Sequence, residues 1–192
     1  PQVIKDAAIA AINDGFTKYT AVDGIPELKA AIALKLKRDN GLDYKPNQII
    51  ANNGAKHSLY NLFPCTNQAG DEVIIPAPYW VTYPELVMYC GGTVVEIMTD
   101  DESGFKITPE QLKAALTPKT KMVILTSPSN PTGAVYSREE LTALGKVLEG
   151  TNVLVASDEM YEKLIYDGEF TSAAAVSADM YQSTITINGL SK

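Results

Sequence analysis

Apolar positions along the chain change their period from segment to segment. In residues 3–13 they recur at helical spacing and stop at Asp14-Gly15, which predicts a first helix. Residues 16–25 break the period and carry two aromatics and Gly24. Residues 26–40 open on Pro26-Glu27 and close at Asn40-Gly41, an order that suits a helix with proline at its first position and glycine past its end. Residues 47–52 read as a short strand, turned by Asn53-Gly54 into a helix over 55–63. The pattern then alternates. Short apolar runs at 72–76, 93–97, 121–126, 152–156 and 184–188 predict strands, and 79–90, 109–116 and 137–149 predict helices between them. The strands barely alternate in polarity, as expected where helices cover both faces of a sheet. The expected fold is therefore α/β, with three layers (α/β/α) and a mostly parallel sheet. No repeat, low-complexity tract or linker divides 47–192, which reads as one domain; 1–46 reads as an N-terminal helical segment leading into it.

Composition narrows the function classes. The 192 residues carry a net charge of −7, 45% hydrophobic and 20% charged residues, which describes a folded globular chain. Lys and Arg are nowhere concentrated, so no nucleic-acid partner is expected. No run of eighteen apolar residues is present and no signal peptide is visible, so neither a membrane span nor export is expected, and a cytoplasmic location is. Cys65 and Cys90 are expected as buried free thiols in a reducing compartment. The chain opens on Pro1 and stops at Ser191-Lys192, which suggests part of a longer protein.

Candidate chemistry gathers where strands end. In an open α/β sheet, ligands bind beyond the carboxyl ends of the strands, and five polar or aromatic clusters follow five predicted strands. Gly54, Ala55 and Lys56 combine a glycine turn with a helix start, where free N–H groups can hold a small phosphate; the alternative is a tight turn with a solvated lysine. Neither a GxxxxGK[ST] nor a GxGxxG pattern is present, which disfavours a nucleotide. Trp80, in PAPYW, is either core or a stacking platform for a ring. Asn130, in SPSNPTG, is either a turn former or an amide donor to a ligand oxygen. Asp158 ends an apolar run, where a carboxylate must be paired: it could bind a cation, accept from a protonated ring nitrogen or cap the next turn. Tyr161 lies three residues on, and Glu159 is expected to be more exposed. His57 reads as a helix residue near the site without a chemical role, and no metal set is visible. Lys192 is either a chain end or a Schiff-base nucleophile.

These stretches resemble a known family. YTAVDGIPELKAAI (19–32), NNGAKHSLYNLF (52–63), PAPYWVTYPE (76–85), SPSNPTGAVYS (127–137), SDEMYEKLIY (157–166) and NGLSK (188–192) are similar, in order, to the class I, fold-type I aminotransferases that use pyridoxal 5′-phosphate, most of all their bacterial aspartate aminotransferase branch. The resemblance implies a partial large domain, with the small domain outside this chain. It implies Lys192 as the Schiff-base lysine and proton carrier, Asp158 as the partner of the pyridine nitrogen, and Tyr161 and Asn130 as donors to the ring oxygen. Trp80 would stack on the ring. Gly54, Ala55 and Lys56 would cradle the phosphate. Tyr19 would reach the phosphate of a neighbouring subunit, making a homodimer with shared active sites. The implied reaction is ping-pong transfer of an amino group from an amino acid, aspartate first, to 2-oxoglutarate. Other readings are an aromatic aminotransferase, a carbon–sulfur lyase or a non-catalytic phosphate-binding module. Two positions depart from the common pattern: Gly189 stands where many relatives have a phosphate-binding serine, and Lys56 occurs in a branch associated with acidic side chains.

Overall fold

A computed structural model of the chain describes residues 1–191. Its sheet contains β1 (Glu72–Ala77), β2 (Thr93–Met98), β3 (Thr120–Thr126), β4 (Leu154–Asp158) and β5 (Thr184–Ile187). The order is β2-β1-β3-β4-β5 and every pairing among the described residues is parallel. Seven helices accompany it: α1 (Gln2–Asn13), α2 (Pro26–Asn40), α3 (Ala55–Thr66), α4 (Thr82–Tyr89), α5 (Pro109–Ala115), α6 (Arg138–Leu148) and α7 (Ala178–Ser183). Local sequence sets several ends. Thr108 and Ser137 each accept a hydrogen bond from the backbone N–H three residues on, while Gln111 and Glu140 reach back to the cap's own N–H.

The two faces of the sheet can be read from strand parity. Val73, Ile75, Met122, Ile124, Ala156 and Ile187 pack with Leu59 and Phe63 of α3 and Leu86 and Val87 of α4. Their strand neighbours Ile74, Val123, Leu125 and Val155 point the other way, onto Leu112 of α5, Leu141 and Leu144 of α6 and Met180 of α7. Both faces are thus covered, as the unalternating strands led us to expect, and the three-layer architecture follows.

The structure differs from the sequence-based expectation at five places. Residues 46–48 form a 3-10 turn and 49–52 run extended without joining the sheet; Ala51 N–H donates to the Asp23 carbonyl instead, at 3.0 Å. β4 lies two residues further along than 152–156, so Ser157 and Asp158 belong to the strand. α4 starts at Thr82 rather than 79, leaving Pro78, Tyr79 and Trp80 in a loop. The 3-10 turn Ala173–Ala175 and α7 have no helical apolar period and were not expected. Cys65, in α3, is exposed, and Cys90, the residue that caps the end of α4, is half-buried against the core. No described helix is long and apolar enough to cross a membrane.

Candidate active site

The strand order places a topological switch point between β1 and β3, because the chain leaves β1 for β2 on one side and returns to β3 on the other. Such points are where open α/β sheets bind ligands. Here a pocket opens at the carboxyl ends of these strands, lined by Pro78, Tyr79, Tyr83, Thr126, Ser129 and Asn130. Thr126, Asp158 and Ile187 are in register as the last residues of β3, β4 and β5. Ser127 N–H donates to the Asp158 carbonyl at 3.1 Å and Glu159 N–H to the Ile187 carbonyl at 2.8 Å, so the edge is stitched together past the strand ends.

Asp158 is the most constrained group at this edge. Its parity matches Ala156, so it faces α3 and α4. It is buried, Oδ2 accepts from the Tyr83 hydroxyl at 2.7 Å, and Oδ1 accepts from Met160 N–H at 3.2 Å. Burial pushes its carboxyl above the ordinary carboxylate range, and the hydrogen bonds from Tyr83 and Met160 only partly offset this. Among the described residues no cation is paired with it. A cation placed against it would repay the cost of keeping the carboxylate ionised. Tyr83 also exchanges a hydrogen bond with Thr126 Oγ1 at 2.9 Å; burial first and the charge of Asp158 second push its phenol far up, so it remains a donor.

The remaining candidates lie in loops and at the start of α3. Gly54 is the N-cap of α3, with φ +87° and ψ 164°, a conformation open to glycine and costly for other residues. His57 and Ser58 donate the first helical hydrogen bonds, both to the Gly54 carbonyl at 3.1 Å, which leaves the N–H groups of Ala55 and Lys56 outside the ladder and free to meet an anion. The ammonium of Lys56 lies 5.1 Å from the centre of the Trp80 ring. Trp80 itself is half-buried and meets Tyr83 edge-on at 5.7 Å, so the platform is held by the residue that binds Asp158. Asn130 is half-buried in the pocket wall. Tyr161 is half-buried and close enough to Tyr83 to perturb its phenol. His57 Nδ1 accepts from Asn53 N–H at 3.2 Å and so braces the turn.

The structure does not bring every candidate together. Tyr19 is fully exposed within this chain. Lys192 lies outside the described residues. The expectation for Glu159 is overturned: it is 1% exposed, because β4 runs on to Asp158 and the next residue turns back under the sheet. Sequence reading missed Tyr83. The available signal was a tyrosine within the apolar stripe of α4, whose polar tip must find a partner when its ring is buried. At Gly189 a Cβ would lie 2.8 Å from both Sδ and Cε of Met160, the far end of a side chain that would have to shift.

Known proteins resemble this chain along its whole length. The family described as aminotransferase class I and II matches residues 1–192. The aspartate aminotransferase of Bacillus sp. (strain YM-2) is 56% identical over all of this chain and 49% of its own length. The aspartate/prephenate aminotransferase of Cereibacter sphaeroides is 55% identical over all of this chain and 48% of its own. The solved aspartate aminotransferase of Thermus thermophilus with maleate superposes with a TM-score of 0.96 at 45% identity, covering all of this chain and 50% of that one. The chain spans about half the length of the relatives it matches.

Proposed function

The chain belongs to the class I and II aminotransferases, and on that premise we propose that it forms the cofactor-binding half of a pyridoxal 5′-phosphate-dependent aminotransferase that moves the amino group of aspartate to 2-oxoglutarate. The observation that carries the reading is Asp158, a buried carboxylate at the strand edge held by Tyr83 and Met160 on two sides and in need of a cation.

The residues present fit the cofactor. Asp158 would hold a proton at the pyridine nitrogen. The N–H groups of Ala55 and Lys56, beyond the turn at Gly54, would take the phosphate, with the Lys56 charge beside them. What pyridoxal phosphate supplies when bound is an electron sink for the carbanion at the substrate α-carbon. The protein's own contributions follow from the groups named. Asp158 would keep the ring nitrogen protonated, which preserves the sink. Trp80 would cover a ring face and exclude water. Asn130 and Tyr161 would donate hydrogen bonds to the 3′ oxygen on the ring. Lys192, matched by the family pattern, supplies the amine for covalent attachment and moves the proton at the substrate α-carbon.

Three things support a dicarboxylic donor: the charge of Lys56 at the site, the names of the relatives, and the maleate, a dicarboxylate, in the Thermus thermophilus structure. A homodimer with shared sites is supported by Tyr19, which is fully exposed in the single chain. The test is spectroscopic and kinetic. The full-length protein is expected to carry a visible chromophore that borohydride reduces and Lys192→Ala abolishes, and to turn over aspartate only with 2-oxoglutarate present. Release of ammonia without a 2-oxo acid would reject transamination, and the absence of any lysine-linked chromophore would reject the cofactor.

A further inference from the structure

Behind the sheet, on the face away from Asp158, lies a buried polar layer for which the reaction above has no use. Ser157 Oγ, Ser172 Oγ and Ala173 N–H all donate to one oxygen of Glu159, Oε1, at 2.9, 2.8 and 3.1 Å. The other oxygen, Oε2, is buried and accepts nothing among the described residues. The hydroxyls of Tyr44, Thr184 and Thr186 in this part of the chain are likewise buried without a hydrogen bond. Tyr44 stacks on Tyr181 at 4.8 Å; burial first of all pushes its phenol up, and Thr186 and Glu159 are near enough to perturb it as well. Among the described residues, the charge that bears on Glu159 is that of Glu162, itself tied to Lys35 and Asn40 of α2.

We propose that Glu159 is a positioning residue for Asp158: its carboxyl group pins the turn at Ser172-Ala173 to the end of β4, and this fixes the peptide between 158 and 159 so that Asp158 presents its carboxylate on the opposite face. The inference rests on the cofactor reading above. Successive strand residues point to opposite faces, so a rotation of this peptide that frees Glu159 must also swing Asp158. Two backbone bonds complete the lock: Glu159 N–H to the Ile187 carbonyl, and Met160 N–H to Asp158 Oδ1. Glu159 does this through Oε1, which holds all three donors. The three donors on Oε1 favour the carboxylate, while burial and the neighbouring Glu162 favour the neutral acid, and burial is the larger effect.

The test uses full-length protein in two states. Without cofactor, hydrogen exchange at the Ala173 amide reports the clamp and exchange at the Met160 amide reports the placement of Asp158. With pyridoxal phosphate, its dissociation constant reports the consequence. Glu159→Ala is expected to speed exchange at both amides about tenfold and to weaken pyridoxal phosphate about tenfold. Glu159→Gln keeps an acceptor and a donor, and is expected to stay within about threefold of wild type on both readouts. If Glu159→Ala does not fold, Ser172→Ala, which removes one donor, is expected to move the same readouts by a smaller factor. The proposal is overturned if the truncation speeds only Ala173 and leaves Met160 and cofactor affinity unchanged, or if Glu159→Gln is as damaging as Glu159→Ala. Failure of wild type to bind pyridoxal phosphate would sink the functional reading instead, and the Met160 exchange would still decide the clamp.

Discussion

Asp158 and Glu159 are neighbours with opposite needs. Asp158 must stay ionised in a buried place, which calls for a cation; burial favours the protonated form of Glu159, and the hydroxyls and N–H that donate to it only partly offset this. Burial pushes the Glu159 carboxyl up to about 7, from an ordinary 4.5. Between those values the folded chain holds a proton that the unfolded chain has released. Stability from this group is therefore complete below pH 4.5, falls as pH rises through about 7, and stays lower above it. Over that window the loss is on the order of 3 kcal/mol. Glu159→Gln is expected to flatten the pH dependence of urea unfolding between the two values, and an unchanged slope would show that Glu159 does not titrate there. Asp158 was legible in the sequence because a carboxylate one residue beyond the run VLVA (153–156) stands out. Glu159 was not, since its side of the sheet depends on where β4 ends, and a shift of two residues decides whether it meets solvent or Ser172.

At the scale of elements, the periodic helices and the apolar strands were readable, while short or mixed segments were not. α2 and α6 announce themselves by proline, glycine and capping-box signals. α7 has six residues and is held by contacts with the turn at Ala173–Ala175 and with β4, information no local pattern carries. Residues 47–52 look like a strand, yet Ile49 is buried while Ile50 is 68% exposed, and the backbone pairs with Asp23 rather than the sheet. The segment after β5 shows packing deciding residue identity. Gly189 lies against Met160, the residue whose N–H binds Asp158. Gly189→Ser, the common residue in the family pattern, would push on Sδ and Cε of Met160. Those atoms end a flexible side chain, so the expected cost is about 1 kcal/mol, near the low end for overpacking. Thermal unfolding of the variant reads it; a midpoint equal to wild type would mean that Met160 yields freely.

At the scale of the molecule, alternation of strands and helices foretold three layers, but not the order β2-β1-β3-β4-β5, which brings Tyr79 after β1 and Asn130 after β3 to one pocket. The order comes from crossover connections, which depend on tertiary packing. The N-terminal segment raises the remaining question of how the site is completed. α1 buries none of its residues, and Val3, Ile4, Ile9, Ile12, Phe16 and Tyr19 are all exposed. An apolar surface of this kind marks an interaction face, and Tyr19 at its end is the residue proposed to serve a neighbouring subunit's site. That arrangement has a quantitative consequence. In a homodimer whose every site combines Lys192 of one chain with Tyr19 of the other, a hybrid of Lys192→Ala and Tyr19→Ala chains has one doubly defective site and one intact site. Random reassortment makes about half of the dimers hybrids, so mixing two crippled full-length variants is expected to recover about a quarter of wild-type activity. If Tyr19 serves the site of its own chain, both sites of every hybrid stay defective and mixing recovers nothing beyond the average of the two parents. Turnover after unfolding and refolding the variants together, measured against each refolded alone, separates these outcomes.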